Sequence, residues 1–229
     1  SEKLGSNTSI LADLQGPKLR VGDVEEGTVV APGDQITFLN GEPFVGNKEK
    51  VYMNYDDFSK DVRPGERILL DDGKLIFEVI STDKKAKVEA KVIQGGNLKS
   101  KKGVNLPNTD ISLPALTTKD VIDAEFAIKQ DVDWIALSFV RNSEDILDLR
   151  KLIEEHSDHK IPIIAKIEKP EGIENIDKII SYCDGLMVAR GDLGVEIPPA
   201  EVPLMQKELV KLAKKARIPV IIATQMMES

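Results

Sequence analysis

The chain has 229 residues, 41% of them hydrophobic and 31% charged, the balance of an ordinary soluble protein with room for one large domain or two smaller ones. Its net charge of −8 and aromatic share of 4% argue against a nucleic-acid partner, because a phosphate backbone is repelled and single strands find little stacking surface. No apolar run reaches bilayer length, which argues against a membrane role, and the opening S-E-K-L-G-S-N-T-S lacks the basic and then apolar layout of a signal peptide, so a cytoplasmic location is expected.

The first predicted strand is Ile10 to Leu14. From about Val21 to Ile111 short β-type runs alternate with turn signals. Pro32-Gly33-Asp34 leads into Gln35 to Leu39, and Pro64-Gly65-Glu66 leads into Arg67 to Leu70. Asp72-Gly73 reads as a tight hairpin turn before Leu75 to Ile80. From Ala86 to Ile93, Val88, Ala90 and Val92 alternate with Lys87, Glu89 and Lys91, as in a half-exposed strand. This stretch is expected to form a small, barrel-like all-β module.

After Pro114 the period changes. Helices are predicted from Thr118 to about Lys129, from a Ser143 cap to about Glu155, from Glu174 to about Ser181 and from about Ala200 to Arg217. Between and after them, strands are predicted at Asp133 to Phe139, Ile161 to Ile167, Gly185 to Ala189 and Ile218 to Ala223. Nearly continuous apolar strands alternating with helices indicate a parallel sheet covered on both faces.

Each strand ends in polar or small residues: Ser138 and Arg141, Lys166 and Glu168, Arg190 and Asp192, Thr224 and Gln225. Four successive strands contributing favours a (β/α)8 barrel over an open sheet, whose site would gather at one switch point. The barrel is incomplete, since a full one needs ~250 residues. Lys166 and Glu168 lie two apart and so project from one face of their strand. With Asp192 they offer a cation and two carboxylates, a grouping suited to phosphate chemistry with a divalent metal; the plain alternative is solvated strand-end charge. Cys183 is alone, which leaves no internal disulfide and no cysteine cluster for zinc. His156 and His159 read as a solvated helix terminus.

Five segments together resemble the pyruvate kinase family: L-A-D-L-Q-G-P-K-L-R (11–20), K-K-G-V-N-L-P (101–107), I-A-K-I-E-K-P-E-G (164–172), M-V-A-R-G-D-L-G-V-E-I-P (187–198) and A-T-Q-M-M-E-S (223–229). The resemblance implies a partial (β/α)8 (TIM) barrel with an inserted small β-barrel lid. Residues 1–17 would be one barrel strand, 18–113 the lid, and 114–229 the barrel's continuation. It implies transfer of a phosphoryl group from phosphoenolpyruvate to ADP, with magnesium, or manganese in its place, held by Glu168 and Asp192. Lys166 matches the family's essential lysine and Thr224 its substrate-binding threonine, which takes part in protonating the enolate. The backbone at Gly191 and Asp192, preceding a helical turn, matches the place of the substrate carboxylate, and Arg20 and Lys102 match nucleotide-phosphate positions. Asp71 and Asp72, at the hairpin tip, are turn formers first and candidates to meet the site second.

Asp13 matches a potassium ligand, but Leu14, Gln15, Lys18 and Val21 depart from the family's D-T-K-G-P-E-I-R-T run and resemble its potassium-independent branch. There the ammonium of Lys18 can supply the unit charge of the missing ion. The resemblance further implies a homotetrameric full-length enzyme. It also implies that this chain is an inactive fragment, since the family's arginine-bearing R-M-N-F-S-H-G segment is not in it. Two other readings stay open: a magnesium-dependent aldolase or lyase acting on pyruvate enolates, which the lid and K-K-G-V-N-L-P argue against, and a non-catalytic fragment that only binds a ligand or partner chain.

Overall fold

A computed structural model of the chain describes residues 8–224; Gln225 and the end of the A-T-Q-M-M-E-S segment lie outside that range. In chain order the elements are β1 (Leu11–Asp13), β2 (Val29–Val30), β3 (Gln35–Leu39), β4 (Lys50–Tyr52), α1 (Phe58–Asp61), β5 (Arg67–Leu70) and β6 (Leu75–Thr82). They continue as β7 (Lys87–Gln94), β8 (Gly96–Asn97), β9 (Val104–Asn105), α2 (Thr118–Lys129), β10 (Trp134–Leu137), α3 (Ser143–His156) and β11 (Ile163–Ile167). The last are α4 (Pro170–Glu174), α5 (Ile176–Ile180), β12 (Gly185–Ala189), α6 (Arg190–Glu196), α7 (Val202–Ala216) and β13 (Val220–Ala223). Two compact units result, residues 1–17 with 113–229, and residues 18–112.

In the first unit five strands pair in parallel in the order β1-β10-β11-β12-β13. That order follows the chain without a reversal, so the sheet has no switch point and belongs to a partial barrel. Ile135, Leu137, Ile163, Ala165 and Leu186 join residues from α2, α3 and α7 in one buried cluster. The alternate residues Ala136, Ile164 and Met187 cluster separately, with Trp134 and Ala223 packed against them. Period-2 alternation thus sends one set under the helices and the other to the opposite, inner face. Among the described residues no helix is long and apolar enough to cross a membrane.

Several boundaries differ from the sequence expectation for local reasons. Asn142, not Ser143, caps α3: its side chain accepts from the Asp145 N–H at 3.1 Å, and Asp145 accepts in return from the Asn142 N–H at 3.2 Å, the reciprocal bonding of a capping box. The helix expected from Glu174 begins earlier, with Pro170 at its first position, and breaks at Asn175. There the Asn175 amide donates to the carbonyls of Arg141 and Glu171 at 2.9 and 3.0 Å.

The second unit holds a six-stranded sheet, β4-β3-β7-β6-β5-β9, and the separate pair β2-β8. Val88, Ala90 and Val92 of β7 are buried while Lys87 and Lys91 are exposed, as the alternation predicts. Phe38, Phe58 and Phe77 fill the core beneath, packed edge to face. At the β5–β6 hairpin Asp71, Asp72 and Gly73 all take positive φ, 52°, 58° and 80°, so the two aspartates are turn residues.

Asp184 ties the entry of β11 to that of β12. It accepts from the Ile163 N–H at 3.0 Å and pairs with Arg150 and Lys160. Burial works to raise its pKa, but Lys160, the Ile163 N–H and Arg150 outweigh it and hold the carboxyl below its ordinary 3.8. A depressed folded pKa adds stability that is complete above the unfolded value and is lost as pH falls through the folded one. Asp184→Asn is therefore expected to cost about 2 kcal/mol at neutral pH. Urea unfolding at a series of pH values should show the gap to wild type closing below about pH 4.

Candidate functional site

The parallel strands of the first unit carry their chemistry at their carboxyl ends. Asp13 lies opposite Ala136 in the register of β1 with β10, and Lys166 opposite Met187 in that of β11 with β12. Lys166 shares the inner-face parity of Ile164, and Ser138 that of Ala136. Pleating alone therefore brings Asp13, Ser138 and Lys166 to one side. The Lys166 Nζ stands 2.7 Å from Ser138 Oγ, 3.0 Å from Asp13 Oδ1 and 3.2 Å from Glu168 Oε1. The Ser138 hydroxyl donates its own hydrogen bond to the Leu14 carbonyl at 2.7 Å, which leaves its lone pairs to the ammonium.

Burial separates these groups in character. The Glu168 side chain is 2% exposed, that of Lys166 13% and that of Asp13 55%. Desolvation pulls the Lys166 pKa down, but the Glu168 and Asp13 carboxylates outweigh it and raise it above the ordinary lysine value; the group is a fixed cation at neutral pH. Burial pushes the Glu168 carboxyl up; Lys166 opposes that, and the Asp192 carboxylate adds to it. The exposed Asp192, in the first turn of α6, thus repels the buried Glu168 carboxylate, a repulsion that a divalent cation held by both would relieve. One or two carboxylates beside substrate oxygens and waters is the usual provision for magnesium.

The backbone around these groups is unusual in several places. Phe139 takes φ 55°, a left-handed conformation that is unusual for a bulky side chain. Its N–H donates to Glu168 Oε2 at 2.8 Å and so fixes the carboxylate. A Cβ on Gly172 would lie 2.5 Å from the Val140 carbonyl, so only glycine lets α4 sit against the end of β10. A Cβ on Gly191 would lie 3.1 Å from Thr224 Oγ1; glycine there keeps the space beside that hydroxyl open. Gly191 and Asp192 lie within the first turn of α6 rather than before it, where backbone N–H groups have no helical acceptor. Both are exposed, as is Thr224, whose φ is 73°.

Arg20, Lys102 and Lys18 belong to the second unit, whereas His156, His159 and Cys183 belong to the first. The runs 19–21 and 102–104 pair side by side: the Val21 N–H donates to the Lys102 carbonyl at 3.0 Å, and the Val104 N–H to that of Leu19 at 3.0 Å. Arg20 Nη1 donates to the Lys101 carbonyl at 2.7 Å. Lys102 pairs with Asp71 at 2.9 Å, and its hydrogen bond holds Asp71 below the ordinary aspartate value. Lys18 is exposed. His156 and His159 stand 3.7 and 3.5 Å from Glu125 and Asp131 respectively. Cys183 is buried, and desolvation raises its thiol to about 11.

Sequence reasoning named Ser138 only as a strand end and passed over Lys169 and Glu196. The first was accessible in principle, because it shares the inner-face parity of Ala136. The other two are joined across 27 residues at 2.9 Å, and no local pattern announces that contact.

A family model described as pyruvate kinase, barrel domain, matches residues 1–229. The pyruvate kinase of Bacillus licheniformis is 48% identical over 229 residues, covering 99% of this chain and 39% of that protein. The pyruvate kinase of Corynebacterium glutamicum is 43% identical over 229 residues, covering all of this chain and 48% of that protein. The crystal structure of a pyruvate kinase from Cryptosporidium parvum superposes with a TM-score of 0.90 at 35% identity, over 98% of this chain and 47% of its own. The chain thus spans less than half the length of these relatives.

Proposed function

Because the chain belongs to the pyruvate kinase family, we propose that the full-length protein is a glycolytic phosphotransferase, moving a phosphoryl group from phosphoenolpyruvate to ADP to give pyruvate and ATP. The observation that carries this reading to the level of residues is the Lys166 ammonium, held by Asp13, Ser138 and Glu168 at the sheet's carboxyl edge. Phosphoryl transfer depends on positioning and charge stabilisation more than on covalent chemistry. Lys166 is a compact, permanently protonated donor, suited to charge on the phosphoryl group and on the enolate oxygen. Its three acceptors hold the ammonium at the sheet's edge, and one of those bonds would be exchanged for the substrate oxygen as charge develops.

Glu168 and Asp192 would hold magnesium, or manganese in its place, which when bound neutralises substrate oxygens. Gly191 gives the substrate a close approach to the backbone, and Thr224 presents a hydroxyl beside it for binding and for protonation of the enolate. Arg20 and Lys102, in the module spanning 18–113, would take the nucleotide phosphates; Lys102 would exchange Asp71 for them. A cytoplasmic homotetramer is the proposed form of the full-length protein. The aldolase or lyase reading is not favoured, since the relatives named above are pyruvate kinases.

Calorimetric titration of the 229-residue chain with ADP and with phosphoenolpyruvate, each in magnesium, tests this reading. ADP binding is expected, without ATP formation by the chain alone. Binding of neither ligand would contradict the kinase reading and leave a non-catalytic fragment.

The full-length protein is also proposed to work without potassium, Lys18 supplying the unit charge of the missing ion. Assayed in potassium-free and sodium-free buffer, it is expected to keep its rate when potassium is added, and Lys18→Glu should create a potassium requirement. Strong activation of the wild type by potassium would refute this.

A further inference from the structure

Glu168 is followed directly by Lys169, the residue at the N-cap position of α4, and Asp192 lies one turn before Glu196, the last residue of α6. Lys169 Nζ meets Glu196 Oε2 at 2.9 Å, with side-chain exposures of 7% and 0%. The pair thus joins the segment that carries Glu168 to the helix that carries Asp192, whose charge acts on Glu168. A buried ion pair is a poor source of stability, since desolvation offsets most of its attraction and apolar residues of similar volume serve the fold as well or better. Glu196 is placed still less favourably, for an acid at the carboxyl end of a helix opposes the helix dipole. Neither burial nor helix formation accounts for this pair, whereas geometry does. Lys169 extends from the residue after one carboxylate, and Glu196 anchors the far end of the single short helix that bears the other.

We infer that the buried Lys169–Glu196 pair sets the separation of the Glu168 and Asp192 carboxylates, so that both are positioning residues for the divalent cation without touching it. The inference rests on the reading that Glu168 and Asp192 hold that cation. In the absence of the pair, α6 would shift against α4 and the two carboxylates would no longer converge on one ion.

The test is Mn2+ binding to the 229-residue chain, followed by loss of the free-ion electron paramagnetic resonance signal and accompanied by thermal unfolding. The double variant Lys169→Met/Glu196→Leu replaces the pair with apolar groups of similar size. It should unfold at or above the wild-type midpoint, yet bind Mn2+ ~10–100-fold more weakly, as loss of groups that orient metal ligands generally does. Lys169→Arg, which keeps the charge pair, should retain most of the affinity. Should the double variant fail to fold, Lys169→Gln/Glu196→Gln, which leaves no unpaired buried charge, carries the same comparison. A folded double variant that binds Mn2+ within roughly threefold of wild type, well short of that range, while Glu168→Gln loses it, overturns the positioning role and leaves the cation site standing. A wild-type chain that takes up no Mn2+, or a Glu168→Gln variant that binds it as well as wild type, overturns both.

Discussion

Replacing Lys166 with methionine in the full-length protein is expected to lower kcat by ~10²–10³-fold, the cost of removing one preorganised donor to developing negative charge. The KM for phosphoenolpyruvate should move much less if, as proposed, the ammonium stabilises charge that grows during transfer and not the ground state. Methionine keeps the length and apolar stem of the side chain, so the packing of β11 is preserved. What disappears is the cation between Ser138, Asp13 and Glu168. Arginine should not restore the rate: its planar fork cannot sit where a point charge 2.7 Å from Ser138 Oγ now sits. Steady-state assays at saturating magnesium separate the two constants. A kcat close to wild type with a raised KM would assign Lys166 to binding alone.

The second large effect is expected at Glu168. Glu168→Gln keeps the shape of the side chain and an oxygen for the Phe139 N–H, which now donates at 2.8 Å, but it removes one of two negative charges. Affinity for Mn2+ should fall by ~100-fold or more, since even groups that merely orient metal ligands are worth 10–100-fold. Removing a buried carboxylate whose pKa is raised by burial and by Asp192 should not destabilise the metal-free chain greatly, because the amide needs no counter-charge. Lys166 then loses one of its two anionic partners and keeps Asp13. Mn2+ titration beside thermal unfolding distinguishes a lost ligand from a lost fold.

The parts of this architecture that were legible in the sequence are those fixed by short-range periodicity. Gly185–Ala189 is a strand with the expected bounds because an unbroken apolar run between turn-forming and charged residues has few alternatives. Lys166 and Glu168 face the same side because strands repeat every two residues. The hairpin at Asp71 to Gly73 follows from residues that tolerate positive φ. The single helix expected from Glu174 was instead two, because Asn175 spends its side chain on the carbonyls of Arg141 and Glu171, and Arg141 is distant in sequence. The strained Phe139 backbone and the Lys169–Glu196 contact were illegible for the same reason: each is imposed by neighbours brought together only by the sheet. Composition and spacing suggested a cation with two carboxylates; the resemblance to pyruvate kinases gave those residues candidate roles.

The most direct test of the central claim is whether the full-length protein, supplied with phosphoenolpyruvate, ADP and magnesium, forms pyruvate and ATP in equal amounts. Equal formation of both, abolished by chelating the divalent cation and reduced ~10²–10³-fold by Lys166→Met, is the predicted result. Pyruvate released without ATP, or a rate indifferent to the cation or to Lys166, would contradict it.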